Sequence, residues 1–333
     1  VVRIAHIDTG LAPHPVLGFA TDGSAPPNIR MDEGCNFHDP SHSERPVTTL
    51  KKGDGVVASL TEYPDHGLKT LSLILADSPT ATTEGDGRAG LRGVAPGAQV
   101  IPYRVANGPV FRDGGGDTAA IGKAIDHALS LPDPPRVFSI SMGNPGFLGL
   151  LEGLRLLLRG ETIMAGETRD AIDRAYEAGA IVVCAAGQVI EGTVYPARFA
   201  RCIAVGGYDK AGGMVTHYPR GGYADSQRVD IWAQAENINR PSGWLNASGQ
   251  MQFGFAADDG LPEPSGTSYA CPQVAAAAAM WVATHKNRLD EAFADAPWKV
   301  TEAFRRALRR SSERLMAQDA AGFGTAGEIA ALD

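Results

Sequence analysis

The chain has 333 residues, 44% hydrophobic, 20% charged and 7% aromatic, a composition that excludes a disordered or fibrous polypeptide. Its 30 Lys and Arg stand against 38 Asp and Glu, and the net charge of −8 argues against a general nucleic-acid binder, which needs a basic face for phosphates. The longest apolar run, Val274–Ala283, is Ala-rich and too short to span a membrane. From the N-terminus, Val2–Ile7 reads as a buried strand, and such an abrupt start leads us to expect residues upstream of Val1. Thr21–Tyr63, rich in Pro, Ser, Asp and Gly, reads as a long surface excursion, followed by a helix at Gly67–Ala76 and a strand at Gln99–Val105. A helix at Thr118–Leu131, a strand at Val137–Ser141, a Leu-dense loop at Phe147–Gly166 and a helix at Glu167–Ala178 come next. Strands at Ile181–Ala185, Cys202–Val205 and Val229–Trp232 precede a polar loop, Asn239–Ser265, which carries Pro241, Pro262 and Pro264. A long Ala-rich helix at Tyr269–Lys286 and a last pair of turns near Val300–Arg310 complete the reading.

Strands that are continuous Val/Ile runs, alternating with helices, predict an α/β fold: three layers, α/β/α, around a mostly parallel central sheet buried on both faces. Residues 1–333 are expected to form one domain with loop insertions near 21–63, 147–166 and 239–265. Cys35, Cys184, Cys202 and Cys271 are too few for a disulfide framework and form no metal-type pair. Cys184 and Cys202 sit in apolar runs and read as small buried hydrophobes.

Three short signatures carry the chemistry. Asp8-Thr9-Gly10 puts an acid and a turn glycine at the carboxyl end of the first strand, the edge where sites form in open α/β sheets. His66-Gly67 opens a helix after Pro64-Asp65. Gly266-Thr267-Ser268 leads into Tyr269-Ala270-Cys271-Pro272, with Ser268 at a helix N-terminus and Pro272 in the first turn. Each has an ordinary structural reading, as cap, surface histidine or N-cap. Their chain order, Asp then His then Ser, is the order of subtilisin.

With these residues the chain resembles the subtilisin-like serine proteases, or subtilases, and the resemblance runs nearly end to end. Gly93-Val94-Ala95-Pro96-Gly97-Ala98, Ser139-Ile140-Ser141-Met142-Gly143, Ala185-Ala186-Gly187, Val194-Tyr195-Pro196-Ala197, Ile203-Ala204-Val205-Gly206 and the closing Gly322-Phe323-Gly324 all correspond to family segments. The resemblance implies a subtilisin-like fold and a serine endopeptidase. Asp8, His66 and Ser268 would be its triad, and hydrolysis would pass through an acyl-enzyme. It implies a substrate strand laid between Gly114-Gly115-Gly116 and Ser141-Met142-Gly143, with Ala185, Gly187 and Val194 around the adjacent pocket. It also implies a polypeptide substrate, an upstream propeptide, secretion or a cell-envelope location, and no cofactor for catalysis. Structural calcium is a family trait for which Asp22, Asp32, Glu33 and Asp39 are available, though no spacing singles out a site.

Two departures bear on activity. The family's oxyanion Asn falls on Gln188, which keeps the carboxamide but sets it one methylene further out. The alternative function is therefore a weakly active or inactive subtilase fold used for binding or processing, and Gln188→Asn is expected to raise kcat. Val194 stands where many relatives have Gly, which predicts a short pocket for small or medium apolar side chains or else simple core packing. Leu68 in place of the usual Thr reads as packing. Leu148–Leu158 reads as an amphipathic helix or an apolar patch, and Asn246-Ala247-Ser248 matches a glycosylation acceptor.

Overall fold

The computed structural model describes residues 1–20, 22–39, 41, 43, 46–47, 63–77, 91–110, 116–144, 166–188, 192–208, 228–236, 238–246, 248, 251–256, 266–317 and 325–330. Its centre is a parallel sheet of β1 (Arg3–Asp8), β2 (Cys35–Asn36), β3 (Gln99–Arg104), β4 (Val137–Ile140), β5 (Ile181–Ala185), β6 (Cys202–Tyr208) and β7 (Ile231–Gln234), in the order β7-β6-β5-β4-β1-β3-β2. An antiparallel pair, β10 (Ser312–Ala317) and β11 (Thr325–Ala330), extends it beyond β7.

Strand period two divides the core between the sheet's faces. Ile4, Val100, Val137, Val183 and Val205 point to one side, where α1 (His66–Leu75), α4 (Thr267–Ala292) and α5 (Lys299–Ser311) pack. Ala5, Ile101, Phe138, Val182 and Ala204 point to the other, against α2 (Gly116–Leu129) and α3 (Gly166–Glu177). With helices covering both faces, every resolved side chain of the inner strands β1, β4 and β5 is buried, and for that reason they read as unbroken apolar runs. The fold is the expected three-layer α/β/α arrangement.

The six strands and four helices expected for this body are all present, with most ends within a few residues of their predicted places, and the last pair of turns is a full helix, α5. The largest offset is at α4, which begins at Thr267 rather than Tyr269 and runs on to Ala292 rather than Lys286. Pro272 therefore sits in the second turn, where its missing N–H leaves the Ser268 carbonyl without its usual intrahelical partner. The polar stretch Asn239–Ser265 contains a hairpin that was not expected, β8 (Arg240–Leu245) paired with β9 (Met251–Ala256). Leu148–Leu158 and Gly322–Gly324 lie outside the described residues. No helix among the described residues is long and apolar enough to cross a membrane.

Candidate active site

Asp8 ends β1, on the same face of the sheet as Ile4 and His6, and looks toward the start of α1. The backbone brings the two elements almost into contact. The Thr9 hydroxyl donates to the Pro64 carbonyl at 3.0 Å and accepts the Gly67 N–H at 2.9 Å, pinning the helix start to the strand end. Glycine at 67 is obligatory here, since a Cβ would lie 2.1 Å from the Gly10 carbonyl oxygen. The outcome is a His66 Nδ1–H that donates to Asp8 Oδ1 at 2.7 Å, with both side chains buried. Oδ1 also takes the Thr9 N–H at 2.7 Å.

Burial pushes the Asp8 carboxyl up, but the neighbouring His66, its hydrogen bond, His6 and the Thr9 N–H outweigh that and hold it below the usual carboxylate range. Asp8 is an acceptor at neutral pH and fixes His66 in the tautomer that carries its proton on Nδ1 and leaves Nε2 an acceptor. Ser268 lies in the first turn of α4, and its hydroxyl donates to the Ser141 carbonyl at 2.8 Å, at the end of β4. The tyrosines flanking the sequence signatures close around the imidazole. Tyr63 meets His66 edge-on with ring centroids 5.4 Å apart, and Tyr269 lies at 6.1 Å.

Below them is a buried charged network that the sequence did not announce. Lys69 donates to the Tyr63 hydroxyl at 2.6 Å and pairs with Asp65 at 3.4 Å, and the Tyr63 and Tyr269 hydroxyls are 3.3 Å apart. The unexpected hairpin supplies the rest. Ser242 donates its hydroxyl (3.0 Å) and Gly243 its N–H (3.3 Å) to Asp65 Oδ2, and Arg240 stacks 4.1 Å above the Tyr269 ring. The hairpin therefore braces the residues on either side of His66 and Ser268. Its signal was the Met-Gln-Phe-Gly-Phe-Ala alternation of β9.

Gln188 has a task in the fold. Gly266 gives α4 no side-chain cap, and Gln188 Oε1 accepts the Thr267 N–H at 3.0 Å in its place. The Thr267 hydroxyl in turn accepts the Gly187 N–H at 2.9 Å. The carboxamide lies flat against Gly266, where a Cβ would come 2.9 Å from Nε2. Beside it is a cavity of about 40 Å³ lined by Met142, Gly143, Ala185, Gly187, Val194 and Ser268, together with Gln188, Thr267, Pro109 and Val110. Val194 packs against the backbone around this cavity and also lines it. Its two methyls fill the space over Gly143 and Gly187, 2.6 and 2.5 Å from where their Cβ atoms would be.

The structure gathers Asp8, His66, Ser268, Gln188, Ser141, Met142, Gly143, Ala185, Gly187 and Val194 at one sheet edge. Gly114 and Gly115 lie outside the described residues, and Gly116 opens α2. The Gly143 N–H is taken by the Pro109 carbonyl at 2.9 Å, with Val110 bridged to Gly143, so a peptide pairing at that N–H has to displace Pro109. The acids available for calcium do not converge. Asp22 caps Ser24, Asp32 pairs with Arg30, Glu33 with Arg30 and Arg3, and Asp39 holds Ser41. No cluster of three or more His, Cys, Asp or Glu suited to a metal occurs among the described residues.

Two buried histidines make the fold acid-sensitive. Burial lowers His6 and His14 to about 4, against 6.5 in the unfolded chain, so both are neutral in the folded protein at pH 7. Unfolding then takes up protons below pH 6.5, and stability is lost progressively as pH falls from 6.5 toward 4, on the order of 3 kcal/mol per histidine at the limit. Asp8, held low, adds a loss in the same direction at still lower pH. Urea midpoints measured at pH 7, 5.5 and 4.5 should fall steadily. His14→Asn, which keeps an acceptor for the Val16 N–H, should flatten the slope, and equal slopes would contradict this account.

The sequence profile of the subtilase family matches residues 2–324. The major intracellular serine protease of Bacillus subtilis (strain 168) is 23% identical over 303 residues, covering 88% of this chain and 78% of that protein. A thermostable alkaline protease of Halalkalibacterium halodurans is 24% identical over 282 residues, 84% of this chain but only 56% of its own length. Among solved structures, Sphericase superposes with a TM-score of 0.60 at 19% identity, covering 99% of this chain and 91% of that one. The chain belongs to the subtilase family and is a serine endopeptidase.

Proposed function

We propose that residues 1–333 act as one peptidase domain that cleaves extended polypeptides with Asp8, His66 and Ser268 as its triad. The observation that carries the reading is the 2.7 Å Asp8–His66 hydrogen bond set beside a serine at a helix N-terminus. In this mechanism Ser268 Oγ attacks the scissile carbonyl while His66 Nε2 takes its proton, which the hydroxyl otherwise shares with the Ser141 carbonyl. The proton then passes to the leaving amine, and water, activated by the same imidazole, releases the acyl group from Ser268. The Ser268 N–H, at the positive end of α4, and the Gln188 carboxamide would face the tetrahedral oxyanion. The substrate backbone would lie between Gly114–Gly116 and Ser141–Gly143, adding a strand to the sheet edge.

The test is covalent. A fluorophosphonate probe should label the native protein at Ser268, identified by peptide mass spectrometry, and heat-denatured protein should not react. Absence of label on native protein would leave the fold as a binding or processing module. Specificity is tested at Val194. The native enzyme should prefer small or medium apolar residues before the scissile bond, since the branched Val194 side chain lines the mostly apolar cavity beside Ser268. Val194→Gly should raise kcat/KM for Phe at that position by roughly tenfold, the scale set by a few methylenes in an apolar pocket. A native preference for Phe or Arg would overturn the assignment.

A further inference from the structure

A polar thread runs behind Asp8, on the side away from His66 Nε2. Oδ1 of Asp8 is held by His66 and Thr9, whereas Oδ2 accepts the Thr70 hydroxyl at 3.1 Å, one turn of α1 beyond His66. Thr70 Oγ1 has two other acceptors in reach, the His66 and Gly67 carbonyls, at the longer distances of 3.2 and 3.3 Å. On its far side it meets His6 Nε2 at 2.9 Å. Both residues are fully buried.

The proton positions follow from the carboxylate. Asp8 only accepts, so Thr70 donates to it, and the Thr70 oxygen must then receive the His6 Nε2–H. This fixes His6 as the Nε2–H tautomer. Its Nδ1 is buried and has no hydrogen-bond partner among the described residues. An apolar side chain at position 6 would avoid that cost, so His6 is not a satisfied core histidine. The groups facing Asp8 are His66 and Thr70 from α1, His6 from its own strand and Cys271 from α4, and burial pushes the Cys271 thiol up to about 12. None of the others supplies a donor to Oδ2.

We infer that Thr70 and His6 are positioning residues for the reaction. Thr70 locks the second carboxylate oxygen so that the plane of Asp8 stays aimed at His66 Nδ1, and His6 strengthens that lock by donating into the same hydroxyl, as a chain of hydrogen bonds polarises along its length. This rests on the triad proposed above.

The experiment uses the full chain with Ser268→Ala, Thr70→Val, Thr70→Ser, His6→Leu and the Thr70→Val/His6→Leu pair, each checked for cooperative melting. Thr70→Val is nearly isosteric and should lower kcat about tenfold, the scale of one hydrogen bond to a charged group, with KM within about twofold. Thr70→Ser should restore kcat to within about twofold. His6→Leu should have a smaller effect on kcat, and the double variant should be no worse than Thr70→Val alone, because His6 acts through Thr70. The His66 Nδ1–H resonance should shift in Thr70→Val and return in Thr70→Ser. Full kcat in Thr70→Val, no rescue by serine, or multiplied losses in the double variant would overturn the inference while Ser268→Ala remained inactive. An active Ser268→Ala would instead remove the triad reading and this inference with it. Should Thr70→Val not fold, Thr70→Ser and His6→Leu still decide through kcat and the resonance.

Discussion

Ser268→Ala is expected to lower kcat/KM on a peptide amide by about 10⁶, and His66→Ala by a comparable factor, both magnitudes carried over from subtilisin. Asp8→Asn should cost about 10⁴, because an amide cannot hold the imidazole in the tautomer that leaves Nε2 free. Combining the three should add little beyond the worst single change, since a nucleophile without its base gains nothing from the orienting acid. Steady-state assays with active-site titration check this. Residual activity within tenfold of native in Ser268→Ala would place the chemistry elsewhere. The expectation has a structural root, for the 2.7 Å contact holds His66 in a pocket walled by Tyr63 and Tyr269. There water competes poorly for the imidazole, and a lost partner is not readily replaced.

The second large effect is expected at Gln188. Gln188→Leu keeps the shape and removes the carboxamide, and kcat should fall, with the roughly 10²–10³ cost of a fully placed oxyanion donor in subtilisin as its upper bound. The same change removes the acceptor that caps Thr267, so stability should fall by about 1 kcal/mol. Gln188→Asn separates the two duties. The shorter side chain gives up its reach to the Thr267 N–H, which costs stability. It also swings the amide back to the depth at which an oxyanion donor sits, so kcat should rise. Turnover that stays level or falls in Gln188→Asn would mean that Gln188 is already fitted to its task. Stability from urea unfolding, read alongside kcat, keeps the two roles distinct.

The parallel body was legible because burial on both faces writes itself into composition. Ile181–Ala185 could hardly be anything but an inner strand. The Asp8, His66 and Ser268 signatures were legible because each combines a chemical group with a backbone device, a turn glycine or a helix start. The hairpin Arg240–Ala256 was not, since Pro241 and the glycines of both strands mask its alternation. His6, Thr70, Lys69 and Arg240 escaped for another reason. Each is an ordinary polar residue in sequence, and its significance arises only when elements distant in the chain enclose it. Pro272 was foreseen in the first turn of its helix and lies in the second, because Gly266 starts the helix earlier than its apolar pattern does.

The contact between Gly10 and Gly67 carries a last consequence. The distance from acid to imidazole is set by an atom that is not there, a methyl group that would strike a carbonyl oxygen at 2.1 Å. In a saturation library, position 67 should therefore behave like an active-site position, intolerant of every replacement, although it offers no side chain to substrate. Position 68, a leucine buried in the core beside it, should accept other aliphatic residues. A map of tolerated substitutions would then show where the fold sets the gauge of the Asp8–His66 pair, as distinct from the residues that offer side chains to substrate.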